Sequence, residues 1–317
     1  MVNIDLPSRP RLPEWARRSA THFESPTKVK SELRVLNLHT VCESARCPNI
    51  HECFHRGAAA FTILGNLCTR GCGFRSVPKG NPRIDRFERA MRLSLRYVVV
   101  TSVNRDDLAD GGSIHFAETV REIKRALPAA RVEVPTPDFN GNREAVARVL
   151  DAGPHVFNHN VETVPRLYRR VRPQANYRQS LAALRFARHR QPGVTTKSGF
   201  MAGLGETAGE VEQLLRDLRD QDVDVATIGQ YLLRNTRKTG RGALDQGAAA
   251  RFVSSFAIWP RGTAPFALST TSCVQAPAPW GESTNTHGSA SPPTHEGIGH
   301  MGRKAEPPNA AYFLRLE

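Results

Sequence analysis

Lysine is scarce in this chain. Seven of its 317 residues are lysine while lysine and arginine together number 44, so arginine carries the positive side of a net charge of +14. A long uninterrupted apolar run is also missing, which argues against a transmembrane helix. Met1 to Pro10 lacks the basic-then-apolar layout of a secretory signal. Both absences place the cysteines in a reducing cytoplasm, as metal ligands rather than disulfides. The basic excess comes without a nucleic-acid motif or a basic patch interleaved with aromatics, so a nucleic-acid partner is not expected. The arginines read as scattered rather than blocked, which fits a solvated surface; attraction to an acidic partner is the alternative reading. Charge itself runs out near the end: from Gly262 to Gly302 only Glu282 and Glu296 carry any. Proline, serine, threonine, glycine and alanine fill that stretch, which predicts a poorly ordered tail.

What the chain does have is a cluster of thiols. Five of its six cysteines lie between Cys42 and Cys72. The first group is Cys42, Cys47 and Cys53, spaced C-x4-C-x5-C. The second is Cys68 and Cys72, followed three residues later by Arg75. Thiolates at such spacings can converge on one soft metal centre. A closed zinc site is the rival reading. Five thiolates divided three and two do not make two four-thiolate zinc sites.

The rest of the pattern predicts an α/β fold with 317 residues to build it. Residues 1–35 are polar, basic and proline-bearing and read as an extended arm. A helix is expected from near Ser31 into the first cysteine group, broken by Pro48. From Phe61, six strand-like runs recur: Phe61–Leu67, Tyr97–Val103, Val132–Pro135, Val156–Val161, Thr195–Met201 and Val225–Tyr231. Helical spacing fills Ile114–Leu127, Arg143–Ala152, Tyr177–Arg188 and Glu210–Asp220. Strand–helix alternation implies parallel pairing with right-handed crossovers. Polar groups gather at or near expected strand C-termini: Asn104 to Asp107, Asp138, Asn158 to Glu162, Lys197-Ser198 and Gln230. That is the mouth of a barrel, so a partial (β/α)6 barrel is expected. The expected division is 1–60 for the arm and first cysteine group, 61–239 for the barrel, and 240–317 for the tail.

Several motifs together carry a resemblance. They are Val41 to Cys53, Thr101-Ser-Val-Asn-Arg-Asp-Asp-Leu108, Pro137-Asp-Phe-Asn-Gly141, Val156-Phe-Asn-His-Asn-Val-Glu-Thr-Val164, Val171-Arg-Pro173, Thr196-Lys-Ser-Gly199, Gly203-Leu-Gly-Glu-Thr207 and Ile228-Gly-Gln-Tyr231. The chain resembles lipoyl synthases, members of the radical S-adenosylmethionine superfamily, from roughly Leu33 to Lys238. The resemblance implies two 4Fe-4S clusters facing each other across the barrel mouth, with S-adenosyl-L-methionine on one. Reductive cleavage there gives a 5′-deoxyadenosyl radical. That radical takes hydrogen from C6 and C8 of an octanoyl chain carried on a lipoyl domain or the glycine-cleavage H protein, and the auxiliary cluster supplies the sulfurs. By resemblance Cys42, Cys47 and Cys53 hold the auxiliary cluster, and Cys68 and Cys72 hold part of the radical-generating one. Asn160, Glu162 and Arg172 resemble residues that contact the ribose and carboxylate of S-adenosyl-L-methionine. No side chain is assigned as an acid or base, because a cofactor must supply the radical that breaks an unactivated C–H bond.

Two departures stand out. The family's third radical-cluster cysteine is Arg75 here. A guanidinium stays protonated and has no lone pair for iron. The family's closing Arg-Ser-Ser-Tyr segment, whose serine completes the auxiliary ligands, does not occur, and Ser283 sits in an unlike context. Cys273 is the only further thiol. The reading is a lipoyl synthase homologue impaired at Arg75; a catalytically inactive homologue is the alternative.

Overall fold

The computed structural model describes residues 40–44, 53–54, 57–65, 67–72, 80, 95–231, 266–270 and 312–316. Residues 1–35, Cys47, Arg75, Cys273 and Ser283 lie outside them. Of the helix expected from Ser31, a single turn is described, α1 Val41–Ser44.

Six parallel strands run in sequence order across one sheet: β1 Ala58–Ile63, β2 Tyr97–Ser102, β3 Arg131–Pro135, β4 Val156–Asn158, β5 Thr195–Ala202 and β6 Val225–Gln230. Each pairs with its predecessor in parallel register, for example Phe61 with Val100 and Asn158 with Lys197. Helices fill the crossovers: α2 Ser113–Ala126, α3 Arg143–Asp151, the short α4 Tyr168–Val171, α5 Tyr177–Arg190 and α6 Ala208–Arg219. No pairing joins β1 to β6 among the described residues, so the barrel is partial, as expected. Two short tail strands, β7 Phe266–Thr270 and β8 Tyr312–Leu316, extend the sheet antiparallel beyond β6.

Alternation sorts the side chains by face. Val98, Val100, Val132, Val134 and Phe157 point outward and pack with Phe116, Val120 and Ile123 of α2 and Val146, Val149 and Leu150 of α3. Phe200, Ala202, Ala226 and Ile228 pack likewise against Val211, Leu214, Leu215 and Leu218 of α6. Each valine, leucine, isoleucine or phenylalanine among them, fully buried, contributes about 1.5–3 kcal/mol. The helices start where the sequence supplies acceptors for their unpaired amide hydrogens. Asn142 caps α3, Asn176 caps α5, and Thr207 with Glu210 forms a reciprocal capping box on α6.

Two strands depart from expectation. β1 begins three residues early, at Ala58, and ends at Ile63 rather than Leu67, because Leu64 and Gly65 turn left-handed (φ 66° and 88°). β4 stops at Asn158, three residues short of Val161. Beyond it the backbone bonds irregularly to β5: the His159 amide donates to the Lys197 carbonyl, and Glu162, at φ 66°, donates to that of Gly199.

Candidate active site

The second cysteine loop follows β1 and is fastened across the mouth. Cys68 is buried, its Sγ 3.9 Å from Asn104 Oδ1, and its carbonyl accepts the Gly80 amide at 3.0 Å. The Thr69 amide and hydroxyl both reach the Asn104 carbonyl. Arg70 is the brace. Its guanidinium donates to Asp106 at 2.6 and 2.7 Å, to Asp138 at 3.0 and 2.9 Å, and to Asn140. Asp138 has no exposed side-chain surface. Burial pushes its carboxyl upward, but the Arg70 hydrogen bonds and charge outweigh that and hold it below the usual carboxylate range. Gly71 donates to Gln174 Oε1 at 2.8 Å, tying the loop to the β4–β5 connection. Cys68 thus stands on a rim braced across β1–β3, and Cys72 follows directly after Gly71.

Cys42 and Cys53 are buried beside β1, where Thr40 bridges Phe61. Each cysteine group has a member outside the described residues, Cys47 in one and position 75 in the other. Among the described residues no three histidine, cysteine or carboxylate side chains converge as a metal site.

The β4 end brings Asn160, Glu162 and Arg172 together. Asn160 Nδ2 lies 3.5 Å from Glu162 Oε1. Arg172 Nη1 donates to the carbonyls of Asn160 and Val161 at 3.1 and 3.3 Å, and its guanidinium lies over the Tyr168 ring. Buried polar atoms without a partner concentrate here. Among the described residues five of the eight belong to this segment: Asn158 Oδ1, His159 Nε2, Asn160 Oδ1, Thr163 Oγ1 and Arg172 Nε. Natively folded chains leave few such atoms, since each costs about 1–3 kcal/mol. Three acceptors, one hydroxyl and one guanidinium donor at the end of β4 fit a ligand rich in hydroxyl, amine and carboxylate groups. Gly199 of β5 leaves room for this arrangement. A Cβ there would stand 3.0 Å from Asn160 Oδ1 and 2.4 Å from Thr227 Oγ1.

His159 was not expected as a site residue. It is fully buried, with Nδ1 2.9 Å from the Thr136 carbonyl. A carbonyl only accepts, so Nδ1 carries the proton and Nε2 presents a lone pair. Burial, then the Arg172 charge, lowers its pKa to about 4, so the ring is neutral near pH 7. Glu206, part of the Gly203-Leu-Gly-Glu-Thr207 motif, accepts the Gly203 and Leu204 amides and holds the β5–α6 turn.

Lys197 is a correction. It is the third residue of β5, not near its C-terminal end, and its ammonium is buried against Glu133 of β3 at 2.9 and 3.2 Å. Tyr97 and Asn158 donate to the same carboxylate at 2.6 and 3.0 Å, which locks four strands beneath the mouth. A concavity of about 280 Å³ lies on the β2–β3 rim beside Arg105, Asp106, Phe139 and Asn140. None of Asn160, Glu162 or Arg172 lines it.

A partial parallel barrel with a cysteine loop after its first strand defines a radical SAM protein. The model of the radical SAM superfamily matches residues 62–218. That of the N-terminal domain of lipoyl synthase of the radical SAM family matches residues 2–47. A lipoyl synthase of Rubrobacter xylanophilus is 52% identical over 227 residues, covering 69% of this chain and 71% of the relative. One of Caldanaerobacter subterraneus is 52% identical over 229 residues, covering 70% and 80%. The chain belongs to the lipoyl synthase family. Two solved structures share the fold. One is TYW1 with a lysine–pyruvate adduct bound, at TM-score 0.50 and 11% identity over 79% of this chain and 94% of that one. The other is Streptococcus suis SuiB bound to S-adenosylmethionine, at TM-score 0.50 and 10% identity over 73% and 56%. Family membership implies 4Fe-4S clusters and S-adenosyl-L-methionine as cofactors. No helix among the described residues is long and apolar enough to cross a membrane.

Proposed function

We propose that this chain is built for the lipoyl synthase reaction, sulfur insertion at C6 and C8 of an octanoyl chain carried by a lipoyl domain or the glycine-cleavage H protein. As written, it falls short at Arg75. The observation that carries the reading is the convergence of Asn160, Glu162 and Arg172, with Asn160 Oδ1 and Arg172 Nε buried without a partner, while Gln174 of the same connection holds Gly71 of the cysteine loop. In this reading residues 1–60 form the auxiliary-cluster segment, 61–239 the barrel and 240–317 a divergent tail.

The residues fit S-adenosyl-L-methionine. Asn160 and Glu162 orient its ribose, and Arg172 offers Nε to its carboxylate. The Tyr168 ring under Arg172 and the buried walls exclude water. When bound beside a reduced cluster, this cofactor supplies the radical that removes hydrogen from an unactivated carbon. The auxiliary donor set, Cys42, Cys47 and Cys53, fits three irons of a 4Fe-4S cluster. The radical-cluster donor set does not fit: Cys68 and Cys72 are thiolates, and Arg75 offers neither a lone pair nor a charge iron accepts. No step of this chain is therefore derived through that cluster.

The test is anaerobic, with reductant and an octanoylated lipoyl domain, reading 5′-deoxyadenosine and lipoyl product by mass spectrometry. The unaltered chain should form neither. Arg75→Cys should restore 5′-deoxyadenosine but little lipoyl product, since the family's closing serine ligand is also missing. One full equivalent of lipoyl product from the unaltered chain would overturn the reading.

A further inference from the structure

Between Thr163 and Gly205 the chain contains no aspartate or glutamate at all. The same stretch holds eight arginines and Lys197, a charge of +9 out of the whole chain's +14. The arginines are therefore not evenly scattered. The fold sorts them. Lys197 is buried on Glu133, and Arg172 belongs to the site. Arg166 pairs with Glu210, Arg188 with Asp224 and Arg190 with Asp151, while Arg185 donates to the Asp220 carbonyl. Arg169, Arg170 and Arg178 are left, all exposed and none paired with a carboxylate among the described residues. Arg170 donates only to the Leu204 carbonyl.

Topology puts these three on one face. A β/α unit leaves its strand at the mouth and starts its helix there. Arg169 and Arg170 lie on α4, within that outgoing connection, and Arg178 is in the first turn of α5. Arg185 and Arg190 lie in the second half of α5, toward the opposite face. The mouth-side placement is locally unfavourable. The first turn of a helix carries partial positive charge and favours carboxylates, yet α5 has no acidic residue there. The neighbouring Gln174 holds Gly71 of the cysteine loop at 2.8 Å, so the basic face abuts the site.

We propose that Arg169, Arg170 and Arg178 form a docking surface for an acidic protein domain that presents its modified lysine over the mouth. The proposal rests on the lipoyl-domain reading above and names the surface that reading needs. The carboxylates at the β2–β3 side of the mouth are already engaged, Asp106 and Asp138 by Arg70 and Asp107 by Arg105. Among the described residues the three arginines are exposed cations beside the site with no carboxylate partner, where complementary charge sets orientation and on-rate.

The test compares two triple variants of equal net charge. The mouth variant carries Arg169→Gln, Arg170→Gln and Arg178→Gln. The control carries Arg125→Gln, Arg185→Gln and Arg190→Gln, on exposed helix surface away from the mouth. The probe is an acidic octanoylated lipoyl domain, and binding is followed by fluorescence anisotropy from low to high salt. Binding of S-adenosylhomocysteine to each variant checks that the site stays folded. The mouth variant should bind the domain about tenfold more weakly, with a flatter salt dependence, and the control should match the unaltered chain. Equal losses in both variants would mean that net charge alone acts, and the surface would be wrong. Binding by the unaltered chain that ignores the mouth variant would sink the surface and leave the lipoyl-domain reading standing. No binding by the unaltered chain would overturn both. A short single-stranded oligonucleotide that binds the mouth face more tightly than the acidic domain would replace the protein partner with a nucleic acid.

Discussion

Gly199 matters for the side chain it lacks. An alanine there would press on Asn160 Oδ1 and Thr227 Oγ1, and both side chains would have to rotate away. Gly199→Ala should therefore weaken S-adenosylhomocysteine binding about tenfold while shifting the thermal midpoint only a few degrees. Unchanged affinity would show that Asn160 does not touch the ligand. His159 gives a pH signature. Its folded pKa, about 4, lies below the ordinary value of 6.5, so the unfolded chain binds the extra proton between these values. Stability should fall as pH drops from about 6.5 to about 4, by on the order of 3 kcal/mol. His159→Gln should flatten that slope in urea unfolding series; an unchanged slope would rule His159 out as its source. That Asn160, Glu162 and Arg172 lie together was legible because their motifs are local in sequence. The Glu133–Lys197 pair was not, because Tyr97, Glu133, Asn158 and Lys197 come from four strands and meet only through strand register.

At the scale of elements, the rim depends on Arg70. Its removal leaves the buried Asp138 carboxylate uncompensated, a defect worth about 3–5 kcal/mol. Arg70→Met should lower the denaturant midpoint accordingly, and adding Asp138→Asn should recover part of the loss. A single variant as stable as the parent would show that the brace is dispensable. The strand order, the helices and the mouth were legible from periodicity. The ends of β1 and β4 were not, for different reasons. β1 starts on three alanines, a residue that strands disfavour, so no strand signal marks its first turn into the sheet. β4 ends where the backbone leaves the ladder to carry the site. There sequence still reads as strand, and positive φ at Glu162 is paid for by its bond to Gly199.

For the whole molecule, the thiol inventory sets the metal content. Three cysteines in one group and two in the other should hold close to one 4Fe-4S cluster, about four irons and four sulfides per anaerobically purified chain. Iron and sulfide analysis giving about eight of each would refute the two-thiolate limit. The acid-free span from Thr163 to Gly205 adds a different property. Among the described residues the β2–β3 side of the mouth is closed by ion pairs, while Arg169, Arg170 and Arg178 on the other side have no carboxylate partner, so charge is unevenly distributed across the opening. An approaching negative body would feel a torque as well as an attraction. A domain docking as proposed would be rotated during the encounter, before any contact forms, toward the β4–β5 side.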